Sequence, residues 1–143
     1  DNMKEHYSKL EYMFCHSPIN KTLNAEIKIN QGTSEIIFTA TKSMHNEIKD
    51  IHNAYISITL ESAAFFAANS LIEDVLVFTK SFEINYLKTT QSKKLKASAK
   101  FVEKSMGNYF IIVELTENKN LIARGKGVFR RSKTLLENIK NYN

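Results

Sequence analysis

One long apolar segment, residues 54–71, most constrains what this chain can fold into. Nearly every residue in it is small or apolar, and Glu61 is its one carboxylate. Apolar residues occur on more than one face of a helix drawn through the segment, which predicts a buried helix and would bury Glu61 with it. Because polar residues such as Glu61 and Asn69 interrupt the run, we expect no membrane span.

The residues after this segment change to a period of two. Four consecutive stretches between residues 75 and 131 alternate apolar and polar side chains, with turn residues at 106–108 and 117–120 between them. Because no helices intervene, we expect an antiparallel sheet. In the first stretch we expect one face to carry Leu76, Phe78, Phe82, Ile84 and Tyr86.

The N-terminal part predicts a short helix followed by two strands. Residues 3–14 have apolar residues at helical spacing, and Ser17 before Pro18 is typical of a second helix start. Residues 25–42 are expected to form two strands joined by a Gln-Gly turn. Residues 43–54 are polar without a clear period, which predicts a loop before the long helix.

An antiparallel sheet that buries one face needs a cover, and the long helix is the obvious one. We therefore expect an α+β hotdog fold, in which an antiparallel sheet of five to six strands is wrapped around one long central helix. The expected domain limits are an N-terminal helical extension at residues 1–16, the hotdog domain at residues 17–131 and a C-terminal tail at residues 132–143.

The composition limits which classes of ligand and which cellular compartment fit this chain. The net charge is +5, yet no basic run exceeds two residues, and neither a zinc spacing nor an RNA-binding aromatic motif occurs. We expect no nucleic-acid partner and no metal, and a small anionic ligand fits this charge better. Cys15 is the only cysteine, which fits a reducing, cytoplasmic location, and we expect its thiol to be buried or half-buried.

Several polar residues follow a recognisable spacing. His52 comes six residues after Asn46, and Glu61 comes nine residues after His52, directly before a Ser-Ala pair. Thr79 lies seven residues before the tyrosine of the stretch "FEINYLK" at 82–88. Together these positions form a set that is more specific than any one of them.

Because of these polar positions and their spacing, the chain resembles the PaaI-type hotdog thioesterases. The resemblance covers roughly residues 17–131, and proteins of this family hydrolyse acyl-coenzyme A thioesters. Two features depart from the family pattern. The family's His-Gly-Gly is His52, Asn53 and Ala54 here, and a loop glycine three residues after Asn46 is Lys49. The catalytic acid, usually an aspartate, is a glutamate here, whose extra methylene displaces the carboxylate.

The resemblance implies a role for each position. The helix carboxylate would act as base or nucleophile, and the backbone N–H groups of Asn53 and Ala54, at the first turn of the helix, would stabilise the oxyanion. His52 and Asn46 would fix the loop or orient water, and Thr79 would hold the attacking water or the carboxylate. The resemblance also implies a homodimer in which two chains build each site, and two such dimers could pair into a tetramer.

Acyl-CoA is then the expected ligand, with coenzyme A as part of the substrate and no separate cofactor. Phe65 and Phe66 are candidates for the wall of the acyl pocket. Basic residues bind phosphates well, so we regard five of them as candidate coenzyme A ligands, although a solvated face is their default role: Lys88, Lys93, Lys94, Arg124 and Lys126.

Alternatives to this interpretation stay open. Glu61 would be structural if local N–H groups or Asn69 satisfied it. The lost glycines and the change from aspartate to glutamate motivate a second function, an acyl-CoA binding or sensing module with little turnover. A hotdog dehydratase ranks lower, because those enzymes have a Pro- and Gly-rich loop before the helix glutamate and the only proline here is Pro18.

Overall fold

A computed structural model describes residues 2–143 of the chain. Within them it has three α-helices and six β-strands, with a 3-10 turn before the long helix and another after the last strand. The elements are α1 (Asn2–Cys15), α2 (Pro18–Leu23), β1 (Ala25–Asn30), β2 (Thr33–Thr39), the first 3-10 turn (Lys42–Met44), α3 (Asn53–Asn69), β3 (Val75–Tyr86), β4 (Lys94–Ser105), β5 (Asn108–Glu117), β6 (Asn120–Leu135) and the second 3-10 turn (Leu136–Asn138).

All six strands form one antiparallel sheet in the order β1-β2-β4-β5-β6-β3. The sheet curls around α3, which contacts every strand. The expected architecture, an antiparallel sheet wrapped around one central helix, is therefore confirmed. β1 and β3 are the two edges, so one side of each has no strand partner within the described residues.

The helix α3 buries one side and leaves the other open. Leu60, Ala63, Ala64 and Ala67 are fully buried against the sheet, and the small alanine side chains let the helix approach the strands closely. Glu61 is exposed, so the expectation of a buried carboxylate is wrong. The 3.6-residue period turns Glu61 away from the buried side on which Leu60 and Ala64 lie.

A β-bulge in β3 decides which of its side chains face the helix. Thr79 pairs with Phe129 and Ser81 pairs with Val128, so β3 has one extra residue at this point. The prediction that Leu76 and Phe78 share a face with Phe82 is therefore wrong, because the bulge reverses the alternation. Instead Thr79 lies on the helix-facing side together with Phe82.

Phe82 packs against two glycines of β6. A Cβ atom built on Gly125 would lie 2.8 Å from Phe82 Cζ, and one built on Gly127 would lie 2.9 Å from Phe82 Cδ1. Since real Cβ atoms do not approach so closely, the glycines are needed for the contact between β3 and β6. A glycine inside a strand often marks such a close approach.

Both termini pack against the end of α3. The ring of Phe14 in α1 meets Phe66 edge-on, with 5.7 Å between centroids. His6 Nδ1 and Tyr142 Oη are hydrogen-bonded at 2.6 Å, and His6 Nε2 donates to Asn69 O at 2.8 Å. β6 continues through Leu135, beyond residue 131, where the sequence placed the end of the domain.

Cys15 is exposed at the end of α1, contrary to the expected buried thiol. Partial desolvation of its sulfur, followed by the nearby Glu11 and Glu26 carboxylates, raises the pKa of Cys15. The thiolate is the nucleophilic form, so these surroundings lower the reactivity of Cys15 at neutral pH.

Across residues 2–143, no helix is both long and apolar enough to cross a membrane. The same residues contain no group of three or more His, Cys, Asp or Glu side chains placed to hold a metal ion.

Candidate active site

Glu61 and Thr79 form a pair where α3 faces the edge strand β3. Thr79 Oγ1 donates a hydrogen bond to Glu61 Oε2 at 3.2 Å. Two local features bring the pair together: the helical period directs Glu61 to the open side of α3, and the alternation of β3 places Thr79 on the same side as the buried Val75 and Val77. One carboxylate oxygen is thus held by a hydroxyl, while Glu61 as a whole stays accessible.

A second polar pair lies one turn nearer the start of α3. Ser57 Oγ donates to Asn53 O at 2.9 Å and is hydrogen-bonded to Tyr86 Oη at 2.5 Å. The sequence reasoning did not assign either hydroxyl to the site. The available signal for Ser57 was its position four residues before Glu61, which places both side chains on one helix face.

His52 is the N-cap of α3, and its Nδ1 accepts a hydrogen bond from Ala54 N–H at 2.9 Å. The accepting Nδ1 is unprotonated, so the neutral ring carries its proton on Nε2. This contact occupies one of the two N–H groups expected to stabilise an oxyanion. The N–H of Asn53 has no hydrogen-bond partner within residues 2–143, so it is the one left free.

Asn46 organises the loop before α3. Its Oδ1 accepts hydrogen bonds from Ile48 N–H at 3.0 Å and Asp50 N–H at 3.1 Å. Lys49 N–H donates to Asn46 O, and Lys49 has a φ of 70°. This is the left-handed conformation that glycine adopts most readily, which accounts for a glycine in the family pattern. These hydrogen bonds hold the turn at residues 46–50, and the role of Asn46 in the reaction stays a prediction.

Three cavities lie along the open side of α3 and the loop before it. The Glu61 pocket, of about 330 Å³, is lined by Ile19, Ile58, Glu61, Ser62, Phe65 and Phe66. The helix-start pocket, of about 420 Å³, is lined by Thr22, Ser43, His45, His52, Ala54, Tyr55 and Ile58. The loop pocket, of about 560 Å³, is lined by Lys42, His45, Asn46, Lys49 and Gln91.

Shared residues join these cavities into a series. Ile58 borders both the Glu61 pocket and the helix-start pocket, and His45 borders both the helix-start pocket and the loop pocket. Asn46 and Glu61 therefore lie at opposite ends of the series in one chain. His52 lies between them, as expected for residues from one loop and one helix.

The five basic residues proposed from the sequence line none of the three cavities. Arg124 and Lys126 are exposed on β6, where they alternate with the buried Gly125 and Gly127, and hence lie on the outer face of the sheet, opposite to α3. Lys94 lines a separate cavity on β2, β4 and β5, and Lys88 and Lys93 are exposed in the connection between β3 and β4. The cations near the site are instead Lys42 and Lys49. No sequence signal marks them, because tertiary packing forms the pocket.

Solved structures with the same architecture support the fold. The PaaI protein of E. coli, from the phenylacetic acid degradation operon, superposes with a TM-score of 0.84 at 17% identity, over 94% of this chain and 99% of that one. A thioesterase family protein from Silicibacter pomeroyi gives a TM-score of 0.81 at 21% identity, over 87% and 96%. The chain has the hotdog fold.

A further hotdog neighbour is a phenylacetic acid degradation-related protein from Ralstonia eutropha, with a TM-score of 0.77 at 17% identity over 87% of this chain and 98% of that one. No family model and no curated protein matches the sequence. At these identities the neighbours establish the hotdog fold, and the chemistry has to be argued from the residues of the site.

Proposed function

We propose that this hotdog protein is an acyl-CoA thioesterase in which Glu61 is the base or nucleophile. The observation that carries the proposal is the hydrogen bond between Thr79 and Glu61 at the mouth of a pocket walled by apolar side chains. The neighbours named as thioesterases support the same class of reaction.

The reaction needs a nucleophile next to the thioester carbonyl. Glu61 either removes a proton from water as the water attacks the carbonyl carbon, or attacks the carbon itself to give an acyl-enzyme that water then hydrolyses. Thr79 holds Oε2 and leaves Oε1 free for the reaction. The carbon–sulfur bond breaks, coenzyme A leaves as its thiol after taking up a proton, and the acyl group leaves as a carboxylic acid.

Negative charge on the carbonyl oxygen requires an N–H donor at the start of α3. The N–H of Asn53 is free and lies at the positive end of the helix dipole. Asn53 and Glu61 are eight residues apart in one helix, which is roughly 12 Å along the axis. A carbonyl attacked directly by the carboxylate has to lie within about 3 Å of both groups, which a single chain does not allow.

A water-mediated path within one chain meets an obstacle. It would run along α3 from Asn53 to Glu61, where the hydrogen-bonded side chains of Ser57 and Tyr86 lie. A second copy of the chain, paired through the free edge of β3, would supply its own Asn53 N–H to this Glu61. We therefore propose a homodimer with two shared sites, and a measurement of the molecular mass by light scattering would distinguish the dimer from a tetramer.

The ligand follows from the walls of the cavities. Ile58, Phe65 and Phe66 provide an apolar surface for an acyl chain beside Glu61, and the cations of the loop pocket favour an anionic carrier. Acyl-CoA combines both parts, and free fatty acid lacks the second. We also propose a cytoplasmic location, because acyl-CoA is an intracellular metabolite and Cys15 is the only cysteine.

One observation favours a second candidate, an acyl-CoA binding or sensing module. His52 Nδ1 occupies the N–H of Ala54, so each oxyanion would receive one backbone donor from this helix start instead of two. Loss of one oxyanion donor costs roughly 10²–10³-fold in kcat. Such a loss would leave binding intact and make turnover slow.

Release of free thiol from a panel of acyl-CoAs, measured beside binding of a non-hydrolysable analogue, separates the two candidates. The thioesterase proposal predicts steady thiol release for at least one acyl chain, in proportion to enzyme concentration. Tight analogue binding with no thiol release across the panel would replace it with the binding module. A protein that neither binds the analogue nor releases thiol would contradict an acyl-CoA ligand altogether.

A further inference from the structure

The loop pocket is a cationic cavity outside the Glu61–Thr79 pair. Lys42 and Lys49 line it together with His45, Asn46 and Gln91, and none of these five side chains is acidic. Both lysines are exposed. The loop that carries them is held in shape by Asn46 Oδ1, so the lysines are attached to an ordered support.

Lys49 occupies its place in the loop at a conformational cost. Its φ of 70° lies in the left-handed region, where an L-residue with a Cβ is strained and glycine is not. A residue kept in such a conformation suggests that its side chain has a use there. The use that its position indicates is to add a positive charge to the loop pocket.

Two carboxylates in the same loop, those of Glu47 and Asp50, would repel an anion if they lined the loop pocket. Asp50 is buried, and its Oδ1 accepts a hydrogen bond from Gln91 Nε2 at 3.4 Å. Glu47 is exposed and does not line the pocket. Neither carboxylate is among the lining side chains, so the cations dominate the cavity.

The position of the loop pocket relates it to the reaction. It adjoins the helix-start pocket through His45, and that pocket is lined by His52 and Ala54, the two chain neighbours of Asn53. A thioester whose carbonyl oxygen bound the free N–H of Asn53 would extend its carrier arm from the helix-start pocket toward the loop pocket of the same chain, since the two pockets share His45.

We propose that the loop pocket binds the phosphate of the thioester carrier through Lys42 and Lys49. The inference rests on the proposed function, since it assumes that a thioester binds at the start of α3. The shared chemistry is a phosphate ester at the far end of a pantetheine arm, which both coenzyme A and a carrier protein's phosphopantetheine present. The five basic residues suggested by the sequence have no part in this site.

The test compares ligands that differ in phosphate. Calorimetry would measure the Kd of coenzyme A, 4′-phosphopantetheine and pantetheine for the wild type and for a variant with Lys42→Gln and Lys49→Gly. A variant with Lys88→Gln and Lys126→Gln removes the same charge elsewhere and is the matched control. The glycine relieves strain, so the first variant is expected to fold, and its melting temperature checks this.

Coenzyme A should bind the wild type more tightly than pantetheine does. That preference should fall about tenfold or more in the loop variant and stay unchanged in the control. If 4′-phosphopantetheine follows coenzyme A, the phosphate common to both carriers is the one recognised; if it follows pantetheine, the nucleotide phosphates of coenzyme A are. Equal binding of coenzyme A and pantetheine by the wild type, or a preference that survives in the loop variant, would overturn the proposal.

The two measurements, binding of coenzyme A and release of thiol, distinguish failure of the phosphate site from failure of the proposed thioesterase. A lysine-dependent preference for coenzyme A with no thiol release would leave the phosphate site standing and remove the thioesterase. Robust thiol release with a preference for coenzyme A that does not depend on the lysines would remove the phosphate site and leave the thioesterase standing.

Discussion

Glu61 is exposed in one chain, although it lies in the most apolar segment of the sequence. Its partner is the hydroxyl of Thr79, and the alternative partner Asn69 instead bonds to the backbone of residues 72–77. The structural role suggested for Glu61 through Asn69 is therefore wrong. A carboxylate with one held oxygen and an accessible position is suited to proton transfer.

Thr79→Val removes the hydroxyl and keeps a β-branched shape. We expect kcat for thiol release to fall about tenfold or more, because a hydrogen bond to a charged group contributes roughly 1.5–3 kcal/mol when it is needed in the transition state. The melting temperature should hardly change. Thr39→Val, at an exposed position of β2, is the control, and equal effects of both substitutions would contradict the role of Thr79.

Lys49→Gly should stabilise the fold even though it removes a charge from the site. The left-handed conformation costs a non-glycine residue about 1 kcal/mol or more, and the added freedom of glycine in the unfolded chain offsets part of this. We expect the free energy of unfolding in urea to rise by up to about 1 kcal/mol. A decrease would mean that the Lys49 side chain contributes to folding.

At the scale of elements, the regular strands could be predicted and the irregular one could not. β4 and β5 bury alternate residues as their sequences indicate, because their hydrophobic pattern alone sets the face. In β3 the bulge lies opposite Phe129 and Val128 of β6, and no local signal in the sequence of β3 predicts it. Thr79 was assigned to the site by resemblance, while its orientation needed the structure.

Asn69 links the end of α3 to the start of β3. Its Nδ2 donates to Ile72 O and Val75 O, and its Oδ1 accepts from Val77 N–H, all in a buried site. Asn69→Ala leaves these backbone groups unsatisfied, so we expect a loss of about 3 kcal/mol in the free energy of unfolding. Asn85→Ala, an exposed position on β3, should cost little. Urea unfolding would compare them, and equal costs would contradict this linking role.

At the scale of the whole molecule, the sequence predicted the architecture because one apolar helix and consecutive alternating strands have few other ways to bury their apolar faces. It did not predict the lysines of the loop pocket, since Lys42, Lys49 and Gln91 come from two separate segments that meet only in the folded chain. The shared site is a proposal that rests on the distance between Asn53 and Glu61 along α3.

A mixed dimer tests the shared site. Asn53→Pro removes the free N–H at the first helical position, where proline is well tolerated, and Asn53→Ala keeps it as the control. Dimers pairing an Asn53→Pro chain with a Glu61→Gln chain would be purified through two different tags. If each site uses both chains, the mixed dimer has one intact site and about half of the wild-type thiol release. If each chain forms its own site, it stays as inactive as either parent.

Thiol release by Glu61→Gln tests the central claim most directly. Glutamine keeps the shape and one acceptor oxygen but is neither a base nor a nucleophile, so we predict a loss of about 10²–10⁴-fold in kcat. The melting temperature and the affinity for a non-hydrolysable acyl-CoA analogue should stay close to wild type, because Glu61 is exposed. Glu103→Gln, at an exposed position of β4, controls for the lost charge. A Glu61→Gln protein that releases thiol at a rate near that of the wild type would show that another group carries the reaction.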